Sequence, residues 1–192
     1  MASSISTRRG DSGTGQILYG PRVSKAAPRI EACGAVDELG AHLGLCRAEC
    51  AGDELARRLE ALQRDLFLVG AELGTMPDQR HRLRVRLTED HLTGLDAQVA
   101  EMEALPGLLE GWALPGATRL GALLDVARAV CRRAERRVVA LVEAGGEDHP
   151  TLLPYLNRMS DLLWLYARWY ELRSGLSGAL RPEPGPDATA ST

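Results

Sequence analysis

Apolar residues recur along most of the chain at intervals of three and four residues, which is the spacing of one face of an amphipathic helix. One apolar stripe runs from Leu55 to Val69, and a second runs from Leu120 to Leu141. The alternation of apolar and polar residues that is typical of half-buried strands is nearly absent. The pattern therefore predicts an all-α protein.

Capping residues and helix breakers divide this pattern into five helices. We expect them from Pro28 to about Ala51, from a cap at Asp53 to Met76, from a cap at Thr88 to about Leu105, from about Thr118 to Glu143, and from about Thr151 to Arg173. Asp and Thr satisfy free backbone N–H groups at helix starts, and Pro is tolerated in a first turn. Short connections between the helices favour a five-helix antiparallel bundle, in a ferritin-like arrangement.

The two ends of the chain differ in composition from this helical part. Residues 1–27 are rich in Gly, Ser and Thr and lack helical periodicity, which predicts a glycine-rich loop. Residues 174–192 are rich in Pro, Gly and Ser, which is typical of a disordered tail. We therefore expect an N-terminal loop over residues 1–27, a helical-bundle domain over residues 28–173 and a flexible tail over residues 174–192.

Composition narrows the functional classes. The chain has 192 residues, of which 45% are hydrophobic, and a formal net charge of −3, whereas a general nucleic-acid binder is usually basic. No apolar run approaches the roughly 18 residues that span a bilayer. The N-terminus lacks the apolar core of a secretory signal. The four cysteines form no CxxC pair, and we expect them to be reduced thiols. We expect a cytoplasmic protein that binds neither nucleic acid nor membrane.

Arginines cluster on the fourth helix. At 100° per residue, Arg128 falls at the edge of the apolar stripe and Arg132 just beyond it, one turn away, whereas Arg133 and Arg137 point elsewhere and read as a solvated basic face. A guanidinium close to the buried side needs a carboxylate or phosphate partner, because an unpaired buried charge is costly.

The first helix offers such a carboxylate. Asp37 lies opposite the main apolar face, among Gly34, Gly40, Ala41 and Gly44. Small residues let another helix approach closely, within the chain or across subunits, and three glycines in one helix need a packing reason because each costs about 1 kcal/mol relative to Ala. The alternative is that these glycines are neutral surface choices and that Asp37 is solvated.

The N-terminal loop could bind phosphate. Its glycines and hydroxyl residues are flanked by Arg8, Arg9, Arg22 and Lys25, and exposed backbone N–H groups beside cations can cradle an anion. The loop matches neither a Walker A motif nor a Rossmann GxGxxG fingerprint. The alternative is a flexible basic arm.

Two other chemistries have weaker support. The spacing of His42, Cys46 and Cys50 could present metal ligands on one helix, but no second ligand cluster accompanies them, and no metal site is expected. No GxSxG nucleophile elbow occurs, so the sequence gives no support for a hydrolase triad.

Five segments combine these features: TRRGDSGTG with downstream RVSK (7–25), RIEACGAVDELGAHLGL (29–45), ALPGAT (113–118), ARAVCRRAERRV (127–138) and YLNRMSDLLWLYAR (155–168). In this order and at this spacing they resemble the PduO-type ATP:cob(I)alamin adenosyltransferases, a family of corrinoid adenosyltransferases. The resemblance covers about residues 7–170 and is specific because five motifs match in order.

The resemblance implies a helical bundle that assembles as a homotrimer, with active sites between adjacent subunits. It implies transfer of the 5′-deoxyadenosyl group of ATP to the cobalt of cob(I)alamin, which yields adenosylcobalamin and triphosphate. Arginines and Mg²⁺ would neutralise charge on the departing triphosphate. Within cobalamin biosynthesis, a reductase that supplies Co(I) and an adenosylcobalamin-dependent enzyme that receives the product are candidate partners.

The resemblance also implies roles for individual residues. The nucleotide would contact Thr7, Arg8, Arg9, Gly10, Gly15, Gln16 and Lys25 in the loop, and Arg132, Arg133, Glu135, Arg136 and Asn157 on the helices. Asp37 and Arg128 would form an intersubunit salt bridge, and together with Arg132 they are the expected catalytic residues. Trp112 occupies the place of an aromatic residue that faces the lower side of the corrin.

The sequence departs from the family pattern at several positions. Gly15 stands where the family commonly has Thr or Ser, Arg9 where it has Thr or Asn, Gly40 where it has Asn or Ser, and Ala117 where it has Gly. These departures leave open a non-catalytic relative that binds ATP or a corrinoid as a carrier or sensor. A helical interaction protein that binds neither ligand is a third hypothesis.

Overall fold

Helices dominate the fold. The computed structural model describes residues 6–110, 113–145 and 148–176. Within those ranges the α-helices are α1 (Pro28–Glu49), α2 (Glu54–Leu73), α3 (Glu89–Glu103), α4 (Arg119–Gly145) and α5 (Leu152–Arg173). A 3-10 helix spans Pro77–Arg82, and two short antiparallel strands, β1 (Thr14–Gln16) and β2 (Arg22–Ser24), form one hairpin. The prediction of a mostly helical chain is confirmed.

Local sequence signals set the helix starts. The side chain of Asp53 accepts a hydrogen bond of 3.0 Å from the backbone N–H of Leu55 at the start of α2. Thr88 caps α3, where its backbone N–H donates to the His91 ring over 3.2 Å. Pro28 lies in the first turn of α1, and α1 ends at Glu49, two residues before the predicted end.

Ion pairs between the helices define their packing. Glu31 near the start of α1 pairs with Arg137 near the end of α4, whereas Glu49 at the end of α1 pairs with Arg119 at the start of α4. The helices α1 and α4 are therefore antiparallel neighbours. In addition, α1 packs on α2, α4 packs on α5, and α5 also contacts α3.

The core lies where the predicted apolar stripes meet. The stripe of α2 is buried, and so is the stripe of α4 except for Leu123, which is partly buried. Two tyrosines of α5 are fully buried and donate their hydroxyl protons outward, Tyr155 to Asp65 and Tyr166 to Gln98, each over 2.6 Å. None of the helices in the described ranges is long and apolar enough to cross a membrane.

Two elements correct the sequence analysis. The predicted all-α chain contains the small hairpin inside the expected N-terminal loop, and the surface connection after α2 contains the 3-10 helix. Three-residue strands are too short to display an alternating pattern, and backbone pairing defines them: Thr14 pairs with Ser24, and Gln16 pairs with Arg22. Residues 177–192 of the predicted flexible tail lie outside the described residues.

Candidate functional site

The hairpin is stabilised by one arginine. The Nη2 of Arg22 donates to the carbonyl oxygens of Arg9 and, over 2.8 Å, of Thr14, and its Nε donates to the Thr14 hydroxyl over 3.2 Å. The backbone N–H of Lys25 donates to the Gly13 carbonyl over 2.9 Å. Arg22, which the sequence suggested as a phosphate-facing cation, therefore uses its donors to shape the loop.

The remaining predicted loop residues surround this frame. Thr7, Arg8 and Arg9 are exposed, as is the Lys25 side chain, which passes over Gly10. A Cβ at Gly10 would lie 3.2 Å from the Lys25 Nζ, so a side chain there would displace the ammonium group. The hairpin therefore groups three of its cations at one glycine-rich loop, as a phosphate cradle requires.

Two other loop residues have different surroundings. Gln16 donates to the carbonyl oxygens of Ile17, over 3.2 Å, and of Gly20, so it holds the turn between the strands. A Cβ at Gly15 would make ordinary contact with Ile30 at 3.5 Å. The glycine at this position is therefore not imposed by space.

The turn of the hairpin is held beside the end of α2 by the buried Ile17 and by contacts of its two neighbours. Ile17 is buried, and the backbone N–H of Leu18 donates to the Gly74 carbonyl just beyond α2 over 2.7 Å. The guanidinium carbon of Arg82 lies 4.1 Å from the centre of the Tyr19 ring. The loop is thereby held beside the start of α1 and the end of α2.

The C-terminal half of α4 is tied to α1 by two ion pairs. Arg137 Nε lies 3.2 Å from Glu31 Oε1, and Arg133 pairs with Glu38. Both side chains stay about half exposed, as expected for a solvated face, and each also pairs with a carboxylate of α1. Their carboxylate partners precede them by about 100 residues, and helical periodicity within α4 carries no information about them.

Two further arginines of α4 are exposed: Arg132 and Arg136. The sequence placed Arg132 close to the buried side, and the structure corrects this. Neither side chain takes part in a hydrogen bond or ion pair with another residue in the ranges the structure describes. Both guanidinium groups are thus available to an anion.

Glu135 and Asn157, both expected at the nucleotide, meet between α4 and α5. The Nδ2 of Asn157 donates to Glu135 Oε1 over 3.2 Å. The contact joins the arginine-rich segment to α5 and fixes the orientation of both side chains.

A pocket of about 260 Å³ brings together the predicted Arg128 and Arg132. Its walls also include residues that the sequence did not assign to a site: Glu103, Leu109, Ser160, Asp161, Trp164 and Leu165. Asn157, Asp161 and Trp164 share one face of α5, and that shared face was the sequence signal for this wall. The pocket combines two cations, two carboxylates and an aromatic ring.

A second pocket, of about 460 Å³, lies between α1 and α2. Asp37 is exposed and lines it together with Gly40 and Gly70. Phe67 also lines it with 79% of its surface exposed, and the sequence analysis missed this residue because it falls outside the apolar stripe of α2. Arg128 faces Asp125 at 3.7 Å, and no ion pair joins Arg128 to Asp37 within the described part of the chain.

The metal-binding alternative on α1 finds no support in the geometry. Cys46 and Cys50 are buried, and burial raises the pKa of the Cys46 thiol to about 12. Across the described part of the chain, no three His, Cys, Asp or Glu side chains gather into a metal-binding group. Trp112, the expected corrin contact, lies outside the described residues.

Comparisons with known proteins point to one family. Residues 5–170 match the family model described as cobalamin adenosyltransferase. A corrinoid adenosyltransferase of Bacillus subtilis is 38% identical over 175 residues, which cover 88% of this chain and 88% of that protein. A cobalamin adenosyltransferase of Cupriavidus metallidurans is 41% identical over 182 residues, which cover 93% and 94% of the two chains.

Solved structures give the same result. A variant of a PduO-type ATP:corrinoid adenosyltransferase from Lactobacillus reuteri, complexed with cobalamin and ATP, superposes with a TM-score of 0.79 at 30% sequence identity. The superposition covers 90% of this chain and 93% of that one.

Proposed function

The chain belongs to the cobalamin adenosyltransferase family, and we propose that it transfers the 5′-deoxyadenosyl group of ATP to the cobalt of a Co(I) corrinoid. The observation that carries the proposal is the exposed guanidinium of Arg132, which lies in a pocket with Arg128 and the Trp164 ring. Two cations suit a polyphosphate, and an aromatic wall suits a large planar ligand. The hypothesis of a non-catalytic carrier or sensor is not favoured by the relatives.

The proposed reaction is a displacement at carbon. The electron pair of Co(I) attacks C5′ of ATP, the Co–C5′ bond forms, and the C5′–O bond breaks so that triphosphate leaves with its electron pair. Co(I) is itself a strong nucleophile, so the step needs no general base. The protein would act by aligning C5′ with the cobalt, excluding water and stabilising the charge on the leaving group.

The described residues divide these tasks. Arg8, Arg9 and Lys25 of the hairpin would hold the triphosphate together with the loop N–H groups, and Thr7, Gly10, Gly15 and Gln16 would shape that cradle. Arg132, Arg133 and Arg136 would supply charge from α4, and Glu135 and Asn157 would orient the nucleotide through their mutual hydrogen bond. Trp112 is proposed to face the corrin, as the family pattern implies.

Mg²⁺ is proposed to accompany ATP. Mg²⁺ is usually held by substrate phosphates together with one or two carboxylates. Glu135 is such a carboxylate within the arginine-rich segment. Asn157 contacts only one of its two oxygens, Oε1, so that Oε2 of Glu135 is open to further contacts. The ion would withdraw charge from the triphosphate as it leaves.

We also propose that the chain forms a homotrimer of ferritin-like five-helix antiparallel bundles with active sites between subunits. Three features support an interface: the exposed Phe67, the small residues around Asp37, and the absence of an Asp37–Arg128 pair within the described part of one chain. In an assembly, Asp37 of one copy would approach Arg128 of the next. A reductase would supply Co(I) before the transfer. The product would then pass to an adenosylcobalamin-dependent enzyme in the cytoplasm.

An anaerobic assay tests the proposed function. Chemically reduced cob(I)alamin is mixed with ATP, Mg²⁺ and the protein, and the loss of Co(I) absorbance is followed. We expect catalytic loss of Co(I) that depends on both ATP and protein. A protein that binds ATP without consuming Co(I) would contradict the proposal and support the carrier hypothesis.

A further inference from the structure

A buried charged cluster connects α4 with α5 behind the pocket that contains Arg128. Arg168 is 1% exposed, and its Nη2 donates to Asp125 Oδ2 over 2.7 Å and to Glu171 Oε1 over 2.9 Å. Its Nε lies 2.8 Å from the other oxygen of Glu171. We call Asp125, Arg168 and Glu171 the buried triad.

The backbone of α4 is shaped to admit this triad. A Cβ at Gly121 would lie 2.7 Å from Glu171 Oε1 and 2.8 Å from the Thr118 hydroxyl oxygen. Both distances are too short for a real Cβ, so any side chain at position 121 would displace the Glu171 carboxylate and the Thr118 hydroxyl. The triad is therefore a built feature of the helix interface.

Asp125 faces a second arginine besides Arg168. Burying a carboxylate is costly unless cations or hydrogen-bond donors face it. Asp125 Oδ1 has no hydrogen-bond partner among the described residues. The cation that faces it is Arg128, whose Nε lies 3.7 Å away and is also buried without a hydrogen-bond partner in the described part of the chain. Arg128 thus adds a second positive charge beside the buried Asp125 carboxylate.

Arg128 also belongs to the pocket. Its side chain is 34% exposed, so its inner part contacts the triad while its outer part lines the pocket with Arg132 and Trp164. Arg168 lies 5.6 Å from the centre of the Trp164 ring, so the triad supports this wall as well. A rigid support of this kind restricts the long side chain of Arg128 before any ligand arrives, which lowers the entropy lost on binding.

We propose that Asp125 and Arg168 are positioning residues that hold Arg128 in place at the pocket, in support of the transfer reaction. The expected effect on catalysis rests on the proposed function. The contact between Asp125 and Arg128 exists in the protein without ligand. Asp125 acts through Arg128, whereas Arg168 fixes the carboxylate of Asp125 and supports the ring of Trp164. Glu171 anchors Arg168 from the other side.

The test is a double-mutant cycle with Asp125→Asn and Arg128→Ala. Asparagine keeps the shape of Asp125 and removes the charge that faces both Arg128 and Arg168. We expect Asp125→Asn to lower kcat about tenfold while KM for ATP changes less than about twofold, because alignment at the pocket is lost and the hairpin is intact. In the Arg128→Ala background, Asp125→Asn should lower kcat no further.

Asp96→Asn is the matched control. Asp96 also forms an ion pair with an arginine of α5, Arg158, but on the exposed surface. This variant should keep the wild-type kcat. If the triad were merely structural, the fall in kcat of Asp125→Asn would follow its loss of thermal stability. Asp125→Asn would then lower kcat by the same factor in the Arg128→Ala background. That result would overturn the proposal.

Melting temperatures of the four proteins without ligand give a second readout. Because Asp125 and Arg128 contact each other, their effects on the melting temperature should be non-additive. Additive effects would overturn the contact itself. If the wild-type protein consumed no Co(I), the proposed function would fail, and the melting temperatures would still decide whether Asp125 holds Arg128.

Discussion

The side-chain amide of Asn157 on α5 donates a hydrogen bond of 3.2 Å to the carboxylate of Glu135 on α4. Glu135 lies within an arginine-rich segment, and this contact orients it from a different helix. Replacing Asn157 with Asp would set two carboxylates against each other. We expect Asn157→Asp to raise KM for ATP about tenfold, which corresponds to about 1.4 kcal/mol of lost binding. Steady-state kinetics at varied ATP would check this, and an unchanged KM would remove Asn157 from the nucleotide site.

Arg132 is the residue whose loss should affect turnover most. Its guanidinium has no ion-pair partner in the described part of the chain, so its removal costs little stability. We expect Arg132→Ala to lower kcat about 100-fold or more, which is typical for the loss of a group that stabilises transition-state charge. The melting temperature should stay within about 2 °C of the wild type.

Arg64→Ala provides the control for Arg132→Ala. Arg64 is 76% exposed on α2 and pairs only with Glu60, one turn earlier, within the described residues. Its removal deletes a surface guanidinium of the same kind and should leave kcat unchanged. Equal activities of the two variants would exclude Arg132 from the reaction.

Phe67 tests the proposed interface. An aromatic ring that is 79% exposed beside a pocket of small residues suits contact with a second copy. We expect Phe67→Glu to convert a trimer into monomers in analytical ultracentrifugation, because a carboxylate would be buried without a partner. Val85→Glu is the control, since Val85 is 63% exposed elsewhere on the surface and should leave the assembly intact. A Phe67→Glu variant that remains trimeric would locate the interface on another face.

His149 should make stability depend on pH. It is 3% exposed, and burial, followed by repulsion from Arg80 and Arg29, lowers its pKa from 6.5 to about 4. Between these two values the unfolded chain binds a proton that the folded chain does not bind. The free energy of unfolding should therefore fall as pH decreases from about 6.5 to about 4, by at most about 3 kcal/mol, and show no further His149 effect below pH 4.

Urea denaturation across this pH range measures the His149 contribution. A His149→Gln variant should lose that part of the slope, whereas His81→Gln should keep it because His81 is exposed. Identical slopes in the wild type and the His149→Gln variant would show that His149 is not the group responsible.

Gly15 tests a departure from the family pattern. A Cβ there would meet only Ile30 at 3.5 Å and Lys25 at 3.9 Å, so a serine fits the backbone as it stands. We expect Gly15→Ser to fold normally and to bind ATP about fivefold more tightly, since one added hydrogen bond contributes about 1 kcal/mol. Isothermal titration calorimetry would measure this. Weaker binding would mean that ATP needs the space that glycine leaves.

The sequence predicted what short-range chemistry determines. Asp53 and Thr88 were identified as caps because capping depends on residues within one turn. The apolar stripes of α2 and α4 were identified because burial follows the helical repeat. Arg128 was placed at the edge of the buried face for the same reason, and the structure finds it partly buried there.

Contacts between residues far apart in the chain could not be predicted from the sequence. The partners of Arg133 and Arg137 lie on α1, and Asp125 of α4 is paired with Arg168 of α5. The hairpin depends on Arg22 reaching carbonyl oxygens up to 13 positions away. Such contacts depend on how the helices and strands are brought together, which local periodicity does not encode.

The proposed displacement at carbon requires that triphosphate leave intact from C5′. Phosphorus NMR of the anaerobic reaction would identify the phosphate species released, which are then compared with the amount of adenosylcobalamin formed. We expect one triphosphate for each adenosylcobalamin, with no separate pyrophosphate and phosphate in the early reaction. Release of ADP and phosphate, or of pyrophosphate, without a cobalt–carbon bond would place the attack at phosphorus and rule out the proposed displacement.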